Sequence, residues 1–316
     1  MSTLLEVSVI IPCYNAEPFV GEAIESVLAQ THDSVELIVV DDGSTDRSLD
    51  VIRSFGDDVQ VIAQENHGAC HARNRGAETA EGAYLMFMDA DDVIGPTTIQ
   101  ALRDAIGERD DALARCSWER LVHTSEGWTR RPSGKAENPP EDDPILGWLS
   151  GWFVPPCGLL WAREAFEAAG PWDEKLRANQ DGDLVLRALL EGVELVKAEH
   201  GQALYRVHDR AGYESVSSRS SGEALRSRGR VLGKVTRRLR DVDRLDPYQD
   251  VIARKYYTLA RRLAVKDAPT SRKFEDRAYA LAGPSIRTGS WPHRLLTRLI
   301  GLQAKERLHH ALRSAD

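Results

Sequence analysis

Cysteine is scarce in this chain: Cys13, Cys70, Cys116 and Cys157 are the only four in 316 residues, and no two form a CxxC pair. Such spacing excludes a disulfide framework and makes free, mostly buried thiols the expectation. Long apolar runs are also missing. No window approaches the roughly 18 consecutive apolar residues of a membrane span. The opening Met1-Ser2-Thr3-Leu4-Leu5-Glu6 lacks the basic start and apolar stretch of a secretory signal, so a cytoplasmic location is expected. Neither GxGxxG nor GxxxxGK[ST] occurs, which removes the dinucleotide fingerprint and the P-loop. Glycine (24) and proline (14) are too few, and the hydrophobic share (42%) too high, for a fibrous or disordered chain. What is left is a soluble globular protein whose length suggests about two domains.

Net charge is −8, but it is unevenly spread. Residues 1–200 hold 37 Asp/Glu against 16 Lys/Arg, whereas residues 201–316 hold 12 against 25. An acidic body therefore carries a basic tail, which implies either an anionic partner for the tail or docking of the tail on the body.

Val7-Ser8-Val9-Ile10-Ile11 is a β-branched run closed by Pro12, the signature of a buried strand. From Pro18, Val20, Ile24, Val27 and Leu28 recur at helical spacing. A second strand over 35–40 ends at Asp41-Asp42-Gly43-Ser44, and Leu49, Ile52 and Phe55 mark the next helix. A third strand (59–63), a small-residue helix (69–80) and a fourth strand (83–88) complete a βαβαβαβ order that ends at Asp89-Ala90-Asp91-Asp92. Alternation of this kind predicts an α/β fold, a mostly parallel sheet flanked by helices. Ligands of such sheets bind beyond the carboxyl ends of the strands, where Pro12–Asn15, Asp41–Ser44, Asn66–Gly68 and Asp89–Asp92 should converge. The polar, proline-containing segment 125–143 reads as a loop or lid. Leu184, Leu186, Leu189 and Leu190 mark a further helix, and 193–198 a late strand. Past Gly222 the pattern turns to Arg-rich helices interrupted near Pro247, Pro269, Pro284 and Pro292.

Three carboxylates at one strand end suit Mg²⁺ or Mn²⁺, the hard cations that accompany phosphates. One aspartate there is also what a helix cap would supply, and Asp92 fits that use best. Asp41-Asp42-Gly43-Ser44 is likewise both a turn signal and, with Tyr14 at the neighbouring strand end, a ring and carboxylate able to stack on a base and accept its N–H edge.

Taken together these segments resemble the family 2 glycosyltransferases, the inverting group with the nucleotide-diphospho-sugar transferase fold. The resemblance runs through residues 7–15, 36–46, Gly68 with Ala72-Arg73-Asn74 and Gly76, and 81–92. It continues in Gly170-Pro171-Trp172-Asp173-Glu174, in Gln180-Asp181-Gly182-Asp183 and in Tyr205-Arg206-Val207-His208. It implies a nucleotide-sugar-binding half over 1–105, an acceptor-binding and catalytic half over 106–215, and a basic helical region over 216–316. It further implies that Tyr14 and Asp42 hold the base, with Pro12 and Gly68 lining it. Asp89 would meet the ribose, and Asn15 and Ala90 would complete the nucleotide-sugar contacts. Arg73 and Asn74 would lie near the nucleotide or brace its loop. Asp91 and His208 would hold Mn²⁺ or Mg²⁺.

Asp181 matches the family's general base, with Asp183 the alternative base or a helix cap. Gln180 and Gly182 stand where the family usually has glutamate and often tryptophan, a departure that bears on the acceptor pocket. The implied activity is metal-dependent, inverting transfer from a nucleotide-diphospho-sugar, with a UDP-sugar the expected donor, to a hydroxyl of a glycan, lipid-linked or other acceptor. A binding protein without transfer and a sugar nucleotidyltransferase are the competing readings. The second needs a glycine-rich basic loop after the first strand, and Pro12-Cys13-Tyr14-Asn15-Ala16-Glu17 is neither.

Among Trp148, Trp152, Phe153, Trp161 and Trp172, Trp148 or Trp152 is expected to face an acceptor and the rest to be core. The basic amphipathic run Arg226–Arg240 offers peripheral contact with the inner membrane surface, or a docked face, and tail helices could pair two chains. No nucleic-acid module is present.

Overall fold

The computed structural model describes residues 6–125, 127–208, 221–283, 286 and 291–313. In chain order the first elements are β1 (Val7–Cys13), α1 (Val20–Leu28), β2 (Val35–Asp41), α2 (Ser48–Arg53), β3 (Gln60–Ala63), α3 (Ala69–Thr79) and β4 (Tyr84–Phe87). Then come β5 (Val93–Ile94), α4 (Thr98–Ile106), β6 (Ala112–Thr124), β7 (Gly127–Pro132), α5 (Pro144–Ser150), β8 (Leu159–Ala162), α6 (Arg163–Ala169), α7 (Gln180–Glu191) and β9 (Glu194–Val207). The helices α8 (Gly222–Asp241), α9 (Gln249–Leu263), α10 (Ala268–Ala282), α11 (Trp291–Ile300) and α12 (Leu302–Arg313) follow.

The chain divides into two units. Met1–Pro144, Trp152–Glu174 and Gln180–Ser215 form the first; Ile145–Gly151, Lys175–Asn179 and Val216–Asp316 form the second. Two short segments from the middle of the chain therefore group with the C-terminal helices.

In the first unit the strands lie in the order β3-β2-β1-β4-β8-β6-β9-β5, with β7 on β6. The expected α/β class holds: β3, β2, β1 and β4 are parallel. Beyond them β8 is antiparallel to β4 and β6, while β9 is parallel to β6 and antiparallel to β5. Every residue of β1 is buried, as a strand covered on both faces requires. Pro12 is tolerated there because Ile10, two residues earlier, turns its carbonyl to Met88 (3.0 Å), so the absent N–H falls past the end of β4.

Two sequence expectations change. Segment 125–143 is not all loop: β7 pairs with the outer end of β6 from Glu119↔Pro132 to Thr124↔Gly127. Trp128 and Thr129 are strand formers, and β6 overruns the sheet core and needs a partner for its ladder groups. The late strand expected over 193–198 runs on to Val207, because a register shift between Arg115 and Ser117 absorbs the irregular stretch and lets β9 stay paired with β6. That extension brings Arg206 and His208 to the carboxyl end of the parallel strands.

Cys13, Cys70, Cys116 and Cys157 are buried and free. Burial pushes the Cys13 thiol up to about 12, which makes it inert.

In the second unit α8 turns Leu225, Val231, Leu232, Val235 and Leu239 inward. Gly229 has no room for a side chain, since a Cβ there would overlap the Phe274 ring of α10. The apolar stripe of the Arg226–Arg240 run is thus core and cannot lie on a membrane. Ser221 and Asp267 cap α8 and α10 by accepting the Ala224 and Thr270 N–H groups, both at 3.2 Å. Pro269 occupies the first turn of α10, and Pro247 precedes α9. Pro284 lies outside the described residues. No described helix is long and apolar enough to cross a membrane.

Candidate active site

The carboxyl ends of β1, β2 and β4 and the far end of β9 supply the polar groups. The register pair Cys13↔Asp41 makes Tyr14 and Asp42 neighbours on adjacent strands, and the Asp42 N–H donates to the Cys13 carbonyl at 2.8 Å. Tyr14 is 51% exposed and presents its ring to solvent. Asn15, at φ +50°, accepts the Thr45 N–H at 2.7 Å, and its own N–H donates to Ser44 Oγ at 3.0 Å, so the two strand-end loops are laced together. Asp42 is buried. Its carboxylate accepts the Gln64 amide (2.8 Å) and the backbone N–H groups of His67 (2.9 Å) and Gly68 (2.7 Å). Asp42 therefore shapes the 64–68 loop.

Gly68 has φ 96°, ψ 158°, a region that L side chains rarely adopt. Gly68→Ala is expected to lower stability by about 1–3 kcal/mol. Urea denaturation checks it, and an unchanged midpoint would show that the loop can relax.

Asp89, Asp91 and Asp92 place one carboxylate oxygen each within 4.8 Å of one another. Each has a different partner. Asp89 accepts Arg73 Nη2 at 2.5 Å, and Asp91 Oδ2 lies 2.6 Å from His208 Nε2. Asp92 Oδ1 accepts the backbone N–H of Arg206 at 2.9 Å. Asp92 is thus not a helix cap: α4 starts at Thr98 behind Thr97, and the Asp92 carboxylate holds β9 instead. Burial pushes the Asp92 carboxyl well above its ordinary range, and the charges of Asp91 and Asp89 add to this.

The donor set, carboxylates with an imidazole at one edge, fits Mg²⁺ or Mn²⁺. So does the crowding of three acids against two cationic or ionisable partners, since a divalent ion relieves that repulsion.

Arg206 is a residue to which the sequence reading gave no role. Only 2% exposed, it donates Nε to the Asp91 carbonyl and Nη2 to Glu22 of α1, both at 2.6 Å. Its guanidinium lies 4.4 Å from the Trp128 ring centre and 5.0 Å from that of Phe19. One side chain thereby ties α1, β7 and the acidic loop together. The only signal in the sequence was its position two residues before His208.

Arg73 and Asn74 have separate tasks. Asn74 accepts the Trp172 N–H (2.9 Å) and donates to the Trp172 carbonyl (3.1 Å) and to Glu174 (2.9 Å). It braces the Gly170–Glu174 segment. Arg73 is buried over the Trp172 ring and spans from Asp89 to Gln180 Oε1, the latter at 3.4 Å. Burial would lower its pKa, but the Asp89 charge outweighs that and holds the guanidinium charged. Half-buried Asp181 follows Gln180 in the first turn of α7. Burial raises its carboxyl above 3.8, Asp89 adds to the rise, and Arg73 opposes it. Asp183 is buried and paired with Arg187 (3.0 Å), whose guanidinium also donates to the carbonyls of Ala169, Gly170 and Pro171.

Pro12 and Ala90 are buried. Trp148 and Trp152, expected to face an acceptor, are also buried. Trp152 donates Nε1–H to the Ala136 carbonyl at 2.8 Å and lines a cavity of about 190 Å³ with Arg115, Trp118 and Lys135.

At its strand ends the parallel half of the sheet carries an exposed tyrosine, a buried carboxylate and an acidic cluster, at the place where α/β folds bind their ligands. The Glycosyl transferase family 2 profile matches residues 8–167. An uncharacterized glycosyltransferase of Nostoc sp. is 32% identical over 235 residues, covering 72% of each chain. The chain belongs to glycosyltransferase family 2 and is a transferase enzyme. Among solved structures, S. aureus TarS 1-349 in complex with UDP-GlcNAc superposes with a TM-score of 0.70 at 17% identity, over 98% of this chain and 92% of that one. GalNAc-T7 with UDP, GalNAc and Mn²⁺ gives 0.58 at 17% identity, over 88% and 55%. These two likenesses are of fold.

Proposed function

We propose that this glycosyltransferase moves a sugar with inversion from a nucleotide-diphospho-sugar, a UDP-sugar, to an acceptor hydroxyl, with a divalent cation at Asp91 and His208 and with Asp181 as base. The observation that carries the reading is Arg73. It joins Asp89, at the donor end of the sheet, to the residue that precedes Asp181, so one buried cation couples the nucleotide loop to the base. Residues 1–105 are the donor half and 106–215 the acceptor half in this reading. Donor complexes of two proteins with this fold, TarS with UDP-GlcNAc and GalNAc-T7 with UDP, support the choice of a uridine nucleotide.

In the crevice Tyr14 stacks on the base, Asp42 accepts its N–H edge, and Asp89 takes a ribose hydroxyl. The acceptor hydroxyl gives its proton to Asp181, and its oxygen bonds to the anomeric carbon. The bond from that carbon to the diphosphate oxygen breaks on the opposite face, and the electron pair leaves with the diphosphate. When bound, Mg²⁺ or Mn²⁺ would supply Lewis-acid neutralisation of the leaving diphosphate. His208 Nε2 and Asp91 Oδ2, 2.6 Å apart, are the two groups that would hold the ion.

Titration calorimetry of UDP, GDP, CDP and dTDP with Mn²⁺, Mg²⁺ or EDTA tests this. UDP is expected to bind only with a metal, and Asp91→Ala to weaken that binding by ~100-fold or more. Equal UDP affinity in EDTA would remove the metal from the proposal. Binding without turnover of any donor would favour a chain that has lost transfer.

A further inference from the structure

The last two helices of the second unit are inside out. On α12 Leu302 and the polar pair Lys305 and Glu306 point inward, with Lys305 only 8% exposed, while Leu308 (49%) and Leu312 (63%) face solvent. On α11 Thr297 is buried, while Leu295, Leu296, Leu299 and Ile300 are exposed, Leu299 by 68%. Six of the ten exposed large hydrophobic residues among the described positions thus fall between 295 and 312. Water-facing leucines at i, i+4 spacing on both helices of a packed pair form a patch, not the scattered exposure normal for a surface.

The exposed charges described on these two helices have one sign. Arg298 and Arg307 are exposed on the same two helices. The acid on α12, Glu306, is taken up by Arg261 and Lys305, both at 3.1 Å. Glu306 itself lines a cavity of about 450 Å³ whose other walls are mostly cationic or ionisable: Arg261, Arg262, Lys266, His309 and His310, with Val265. By contrast α8, the helix with the more obvious basic amphipathic sequence, has buried its apolar stripe.

We infer that α11 and α12 form a docking face for an anionic phospholipid surface. The leucines enter the acyl boundary, and Arg298, Arg307 and the cations of the cavity meet headgroup phosphates. Exposed apolar side chains accompanied by exposed arginines on the same helices match this partner, and a second copy of the same face would oppose cation to cation. The inference is independent of the transfer reading, because its test reads binding and not turnover.

The test is co-sedimentation of the full chain with phosphatidylglycerol–phosphatidylcholine vesicles, against pure phosphatidylcholine vesicles and against inorganic phosphate as competitor. Binding is expected to the anionic vesicles only, to weaken as salt rises, and to survive millimolar phosphate. Leu299→Asp with Leu312→Asp, and separately Arg298→Glu with Arg307→Glu, are expected to weaken binding by about 10-fold or more. Arg237→Glu on α8 is expected to leave it unchanged. All five positions are exposed, so an unaltered melting temperature confirms folding. No binding by the wild type overturns the inference. So does loss on Arg237→Glu alone, or a dimer in sedimentation equilibrium that Leu299→Asp disperses while vesicles fail to bind. Full competition by phosphate would reassign the cavity to a free anion.

Discussion

Asp181→Asn is expected to reduce kcat by about 10²–10⁴-fold, the range for losing a positioned general base, while UDP affinity in the presence of metal stays within about threefold. The split follows from placement. Asp181 stands in the first turn of α7, whereas the proposed nucleotide contacts come from the β1, β2 and β4 ends. In the wild type, kcat is expected to fall as pH drops through a pKa raised above 3.8 by burial and by the Asp89 charge. That acid limb disappears in the variant.

Stability supplies a second readout with a definite sign. Between 3.8 and its raised folded value Asp181 binds more protons folded than unfolded, so stability declines as pH rises through that window. At neutral pH the charged carboxylate therefore costs stability, and the asparagine variant should melt at or above the wild-type temperature. The difference should vanish below the unfolded pKa. A variant with near-normal kcat would pass the role of base to another group. Asp183 is poorly suited, held as it is by Arg187.

The second large effect is structural in origin. Arg206→Ala removes two 2.6 Å hydrogen bonds and the packing on Trp128 and Phe19. Glu22 is 55% exposed and regains water, so its ion pair contributes little. The cost comes from the cavity, from the Asp91 carbonyl left without its donor, and from the lost cation–π contacts, about 3–5 kcal/mol together. Because the Asp91 loop loses its support, metal-dependent UDP binding is expected to fall as well, by about 10-fold or more. Arg206→Lys keeps the charge but not the planar fork, and an intermediate loss of about 1–2 kcal/mol is expected. Chemical denaturation and calorimetry separate the two effects. A stable Arg206→Ala protein that binds UDP normally would show the guanidinium to be dispensable.

The residues differ in how openly the sequence displayed them. Tyr14, Asp42, Gly68 and Asp89 each follow a strand of the parallel half, where the fold rule and the local strand and turn signals agree, so their placement at the strand ends was legible. Asp91 and His208 lie 117 positions apart, and their 2.6 Å contact depends on the antiparallel pairing of β5 with β9. The Tyr205–His208 motif marked the residues, but nothing local said that β9 would stay paired through a register shift and reach the acidic loop. Arg206 shows the same limit. An arginine in a polar stretch reads as surface until two strands and a helix close around it.

The amino-acid sequence by itself determined the alternation of strands and helices, the burial of β1 and the polar character of the strand ends. Periodicity and β-branching act within a few residues of each other and survive in the unfolded chain. Only the tertiary structure decided which polar groups meet. It made Asn74 a brace, Arg73 a bridge, Asp92 a holder of β9 and Asp183 an ion-pair partner, because pairing across the sheet sets distances that spacing along the chain does not. It also reversed the two basic helical regions. The apolar stripe of α8 had α9 and the Phe274 ring of α10 to cover it, while the leucines of α11 and α12 were left facing outward, and a helical periodicity is the same whether its apolar side meets protein or solvent.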